Sequence, residues 1–144
     1  MHTPNPHYRD TIAASFREAQ FLVDLGIRLV DCGPGWCETV LELAPRHCQH
    51  HGFVHAGVQA TIADHTAGAA AMSVTPEGST VLTSEFKIHL LRPGKGERLT
   101  ARAQVLKPGR MFHVVECEVF ALTGDERSLV SKLSATMAVV ERSA

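Results

Sequence analysis

The stretch AGVQATIADHTAGAAAMSV, residues 56–74, decides the fold. It shows no strand alternation, yet it is long enough for about four helical turns. Its residues are mostly Ala, Gly and Thr, so the helix they form can be approached closely on every side. Its partners follow it in the chain. From Ser79 to the end the pattern is that of strands: STVLTSEFKIHLL, ERLTARAQVLK, MFHVVECEVFAL and SLVSKLSATMAVVE, broken by RPGKG, KPGR and TGDER. Long strands joined by short Gly-bearing turns predict an antiparallel sheet, and such a sheet twists enough to wrap a slim helix. The expectation is an α+β fold with one central helix inside a strongly twisted antiparallel sheet.

Upstream, YRDTIAASFREAQFLVDLG sets Ile12, Phe16, Ala19 and Val23 three or four residues apart, with Gly26 as a stop. One amphipathic helix is expected there. In IRLVDCGPGWCETVLEL the Gly33-Pro34-Gly35 turn separates two runs, and Trp36, Cys37, Thr39, Val40 and Leu41 fall on alternating faces, which predicts a β-hairpin.

The 144 residues fit a single domain, 1–144, and contain no internal repeat, low-complexity tract or linker. The 14 basic and 15 acidic side chains nearly cancel, and no Lys/Arg run forms a footprint for nucleic acid. Apolar runs stay below the ~18 residues that span a bilayer, so no membrane partner is expected. Cys32, Cys37, Cys48 and Cys117 form no CxxC pair, and the start MHTPNPHYRD lacks the apolar core of a signal peptide. A reduced, cytoplasmic compartment is the expectation.

Chemistry concentrates in RHCQHHGFVHAGVQATIADH, residues 46–65, which holds five of the nine histidines. A zinc site needs three or four converging ligands. Here His47, His50, His51 and His55 lie among Pro45 and Gly52, where no regular face aligns them, so no metal is expected and His47 and His50 read as solvated loop residues. Cys48 sits near several imidazoles, but nothing in the sequence suggests an oxyanion hole around it, and it reads as a spectator thiol. The helix start is a better site. His55-Ala56-Gly57 opens the central helix, whose first turn exposes backbone N–H groups able to hold a developing oxyanion. Asp64 follows seven residues after Gly57, two turns on, so both can face one groove. A carboxylate in an Ala-rich buried helix is costly unless paired or used, and Asp64 reads either as functional or as a structural hydrogen-bond acceptor.

With its order of motifs, HHGFVHAGVQATIADHTAGAAA, then VLTSEFKIHLLRPG, KPGR and a closing LSATMAVV, the chain resembles the PaaI-like branch of the hotdog-fold acyl-CoA thioesterases. The resemblance runs from about Trp36 to Val140. It implies a hotdog fold, a helix wrapped by an antiparallel sheet. It also implies hydrolysis of an acyl-CoA thioester without a cofactor. Asp64 matches the family's catalytic carboxylate, acting as general base on water or, alternatively, as a nucleophile. The backbone N–H groups near Ala56 and Gly57 match its oxyanion site, and His55 the histidine that orders that turn. Thr83 falls where the family often has a Ser or Thr that helps position the attacking water, and Gln49 where many relatives carry Asn near the thioester carbonyl. Two departures stand out: Ala56 replaces the first Gly of the motif, which requires that the residue need no positive φ, and Gln49 is one methylene longer than Asn.

Coenzyme A phosphates would dock on the turns bearing Arg92, Lys95, Lys107 and Arg110. The family joins two sheets edge to edge with its site between subunits, which implies a homodimer or homotetramer. Two alternatives share the fold. A dehydratase acting on acyl carrier protein substrates would use His55 or His65, and a non-catalytic acyl-CoA-binding module would keep the site without its chemistry. Phe86, Ile88 and Phe112 leave room for an aryl or medium-chain acyl group, or are simply core.

Overall fold

The computed structural model describes residues 1–143. Two short helices, α1 (Tyr8–Glu18) and α2 (Gln20–Leu25), lead into a hairpin of β1 (Arg28–Gly33) and β2 (Trp36–Glu42). A single 3-10 turn at Pro45–His47 precedes the central helix α3 (Ala56–Met72). Four long strands complete the chain: β3 (Ser79–Leu90), β4 (Arg98–Pro108), β5 (Phe112–Thr123) and β6 (Glu126–Glu141). They form one six-stranded antiparallel sheet in the order β1-β2-β4-β5-β6-β3. The sheet wraps α3, as the hotdog resemblance implied.

Packing follows from side-chain size. Ile62, Ala63, Thr66, Ala67, Ala70 and Ala71 of α3 are fully buried, and small residues there let the helix sit against all six strands at once. The strands answer with alternate residues: Cys37, Thr39 and Leu41 from β2, and Val115, Cys117 and Val119 from β5. Burial raises the thiol pKa of Cys32, Cys37 and Cys117, so these sulfurs behave as small apolar groups. A polar pair lies in this core. The hydroxyls of Thr39 and Thr66 are 2.6 Å apart, and Thr66 donates onward to the Ile62 carbonyl, so neither is left unsatisfied.

Two expectations need correction. The N-terminal segment is not one helix, because Ala19 adopts an extended ψ of 92° and the helical ladder restarts at Gln20. The Ser15 hydroxyl bonds back to the Ile12 carbonyl, a local competitor that bends helices. The break rotates α2 so that Leu22 is buried and Val23 is 48% exposed. Gly26 then ends α2 at φ +91°, closing onto the Leu22 and Val23 carbonyls. Second, His47 is not a solvated loop residue but is 1% exposed. Its Nδ1 accepts the Ala44 N–H at 3.0 Å and its Nε2 lies 2.7 Å from the Leu25 carbonyl, so the ring pins the loop before α3 to the end of α2. His50 is exposed, as expected.

Candidate active site

At the start of α3, His55 is the N-cap, with extended backbone (φ −60°, ψ 138°) and its Nδ1 accepting the Gly57 N–H at 2.8 Å. A Cβ added at Gly57 would lie 3.0 Å from that nitrogen, so glycine is what lets the imidazole fold over the helix end. The cap also divides the N–H groups. That of Gly57 is occupied by His55, whereas that of Ala56 meets no acceptor among the described residues. Of the two N–H groups expected as oxyanion donors, that of Gly57 is engaged by His55 and that of Ala56 is free among the described residues. No non-glycine residue has a positive φ, so Ala56 occupies its position without strain.

The helix start opens onto a groove of about 770 Å³ whose walls include Gln49, Phe53, Ala56, Gln59, Leu90 and Arg92. Gln49 is held by a tight turn. Its backbone N–H bonds the Phe53 carbonyl at 2.8 Å, its own carbonyl accepts from Gly52, and its side-chain Oε1 accepts the His51 N–H. With Oε1 so fixed, the Gln49 amide NH₂ is the end left to donate. Arg92 reaches back to the Leu129 carbonyl at 2.9 Å and fixes the turn after β3.

Asp64 is half-buried rather than sealed in the core, and its Oδ1 accepts from the Thr83 hydroxyl at 2.8 Å. Thr83 stands at an irregularity in the β3–β6 register, between Thr83 and Glu85, which turns it toward α3. Asp64 does not line the groove of its own chain. Two helical turns, roughly 10 Å of rise, separate it from Gly57. The candidates therefore fall into two separate groups: Gln49, His55 and Ala56 with Arg92 at one level of α3, Asp64 with Thr83 at another.

The remaining candidates scatter. Lys107 and Arg110 lie at the β4–β5 turn, at the opposite end of the sheet from Arg92 and Lys95. Arg92, Lys107 and Arg110 thus form no common patch within a chain. His65 packs edge-on against Phe16 of α1, with ring centroids 4.7 Å apart. Burial lowers its pKa, and the neighbouring Asp64 charge opposes that shift only in part. Like Asp64, it is not among the walls of the groove of its own chain. The His50 and His51 rings lie 4.0 Å apart, but among the described residues no three His, Cys, Asp or Glu side chains gather as a metal ion requires. No described helix is long and apolar enough to cross a membrane.

Sequence reasoning missed Gln59, which is 3% exposed and walls the groove one turn into α3. The signal was present: it is the one long polar side chain among the small and apolar residues of the helix's first two turns.

Comparison with known proteins identifies the family. The thioesterase superfamily model matches residues 51–128, which contain His55, Ala56, Asp64, Thr83 and Arg92 but not Gln49. A crystal structure of a thioesterase family protein from Silicibacter pomeroyi is 34% identical and superposes with a TM-score of 0.91 over 94% of this chain and 99% of that one. A thioesterase from Haemophilus influenzae, 23% identical, gives 0.85 over 98% and 96% of the two chains. The Escherichia coli PaaI protein of the phenylacetic acid degradation operon, 21% identical, gives 0.84 over 96% of each. At those lower identities the likeness is one of fold. With the family model covering more than half of its length, the chain belongs to the thioesterase superfamily, hydrolases whose hotdog fold it carries.

Proposed function

We propose that the protein hydrolyses acyl-CoA thioesters, at a site completed when two copies join through β3. The observation that carries this reading is the unpaired Ala56 N–H at the start of α3, opening on a groove beside a cation, Arg92. A thioester carbonyl set there develops negative charge against a helix N-terminus, where the partial positive charge and a free donor stabilise it.

Asp64 is the general base. Its carboxylate takes a proton from water as the oxygen attacks the carbonyl carbon; the tetrahedral oxyanion rests on Ala56, the C–S bond breaks, and coenzyme A leaves as the thiol once its sulfur regains a proton. Thr83 fixes the Asp64 carboxylate through Oδ1 and leaves Oδ2 for the water. Gln49 donates its NH₂ toward the carbonyl, and His55 holds the turn by capping Gly57.

The second copy supplies what one chain lacks. β3 is an edge strand twelve residues long, with Leu82 60% and Phe86 44% exposed, a template for pairing unless covered. A two-fold axis through its middle sets the Thr83 half of one strand opposite the Leu90 half of the other. That arrangement carries Asp64 of one protomer toward the Ala56 groove of its partner, and the turn with Lys107 and Arg110 toward the partner's Arg92. The three cations separated in one chain would then flank one groove and hold the phosphates of coenzyme A.

The test is release of free thiol from a panel of acyl-CoAs, aryl and medium-chain included, with light scattering on the same sample. Turnover of at least one acyl-CoA by a dimer or tetramer is expected. Absence of turnover across the panel, or full activity from a monomer, would contradict the reading.

A further inference from the structure

Gln59 holds an unspent acceptor at the edge of the site. Its side chain is 3% exposed, its Nε2 lies 3.4 Å from the Val54 carbonyl, and its Oε1 has no hydrogen-bond partner. The orientation of the amide is set by Val54, since exchanging O and N would bring two carbonyl oxygens together. Val54 and Gly94 fix the residue from behind: the Val54 N–H bonds the Gly94 carbonyl at 2.8 Å, and a Cβ on Gly94 would stand 3.1 Å from the Gln59 nitrogen. A buried carbonyl oxygen left unpaired is unfavourable, so an apolar side chain of the same length would serve a purely structural role better.

The place of this oxygen indicates its partner. Gln59 lines the same groove as Ala56, where the thioester carbonyl would sit, and Arg92, where phosphate would sit. In an acyl-CoA the segment between those two points is the pantetheine arm, an extended chain whose only hydrogen-bond donors near the sulfur are amide N–H groups. The side chains of Phe53, Val54, Leu90 and Pro93 in the same walls are apolar and carry no acceptor.

We propose that Gln59 is a specificity-determining residue that accepts a hydrogen bond from a pantetheine amide N–H, after a small rotation of its last torsion, which is soft in such side chains. Gln59 thereby selects thioesters of pantetheine-bearing thiols over simple thioesters with the same acyl group. The inference rests on the proposed acyl-CoA reading, and it goes further by assigning the recognised group and the residue.

The experiment compares one acyl group on N-acetylcysteamine, which retains the amide next to the sulfur, with the same acyl group on propanethiol, which lacks it. The ratio of their kcat/KM values is measured for the wild type and for Gln59→Met. Taking the ratio between proteins cancels the different reactivity of the two leaving thiols. The preference for the amide-bearing thioester is expected to fall about tenfold or more in Gln59→Met, with the propanethiol ester little affected, the size expected for one buried hydrogen bond. Gln59→Glu, which retains an acceptor, should keep more of the preference than Gln59→Met. Calorimetric binding of free coenzyme A provides a readout independent of turnover, and Gln59→Met should weaken it by a similar factor. An unchanged ratio with unchanged coenzyme A affinity overturns the inference while leaving thioester hydrolysis standing. Loss of coenzyme A affinity in a protein that hydrolyses no thioester upholds Gln59 and overturns the proposed function instead. A Gln59→Met protein that melts well below the wild type, with its substrate preference intact, assigns Gln59 to structure and also overturns the inference.

Discussion

Two strands of equal length behave in opposite ways. β5 and β3 each run twelve residues, yet β5 alternates strictly, with His113, Val115, Cys117, Val119 and Ala121 buried, while most of β3 is exposed. The difference comes from neighbours. β5 is paired on both sides and backed by α3, whereas β3 pairs only with β6. β3 nonetheless carries Leu82, Phe86 and Leu90, apolar residues that a finished edge would not show to water. It also carries Thr83, which holds Asp64. The inner strand has both edges paired within one chain; the strand whose Thr83 holds Asp64 has one edge unpaired.

Placing the same charge in each strand should separate these roles most sharply. Val115→Asp buries an unpaired carboxylate at a fully enclosed position, a penalty of several kcal/mol against a total stability of roughly 5–15 kcal/mol, so no folded protein is expected. Leu82→Asp, on the exposed strand, should leave a cooperatively folding chain that sediments as a monomer and has lost turnover. Circular dichroism with sedimentation distinguishes the outcomes, and an active dimeric Leu82→Asp protein would remove β3 from the interface.

A smaller effect is expected where β3 meets α3. Thr83→Ala removes the hydroxyl that orients Asp64, and kcat should fall about tenfold with KM nearly unchanged, as for an interaction strengthened in the transition state. A rise in KM at constant kcat would assign Thr83 to substrate binding.

Smallest is the response to acid, and it belongs to the sealed interior. Burial lowers the pKa of His113 on β5 and of His65 on α3, so the unfolded chain, in which imidazoles titrate near 6.5, binds more protons as pH falls past that value. Stability is therefore fully present above about pH 7 and declines as pH drops below about 6.5. Tm measured from pH 8 to pH 5 should stay level and then decline; a Tm that stays level down to pH 5 would place both rings in water.

The same contrast explains what could be read from sequence. α3 was legible because a helix made of Ala, Gly and Thr has few other places to go, and β5 because its alternation is regular. The break at Ala19 was not, since the spacing of apolar residues runs through it and only the burial of Leu22 with Val23 exposed shows the change of face. His47 read as solvated because only its contacts with Ala44 and Leu25, distant or backbone partners, show what it does. In the candidate site the motif gave the order His55, Ala56, Gly57, Asp64, but spacing alone could not reveal that His55 occupies the Gly57 N–H and leaves Ala56 free. Nor could it show that the turns with Arg92 and with Arg110, alike in composition, stand at opposite ends of the sheet.

Asp64 is where the proposed chemistry is most exposed to test. Replacing it with Asn preserves the shape and an acceptor for the Thr83 hydroxyl while removing the base, so kcat and Tm should be measured on one preparation of Asp64→Asn. A fall in kcat of about 10²–10⁴ with acyl-CoA binding retained and Tm held or raised is the expected result. A protein that melts earlier yet turns over normally per folded molecule would make Asp64 a structural acceptor and contradict the mechanism.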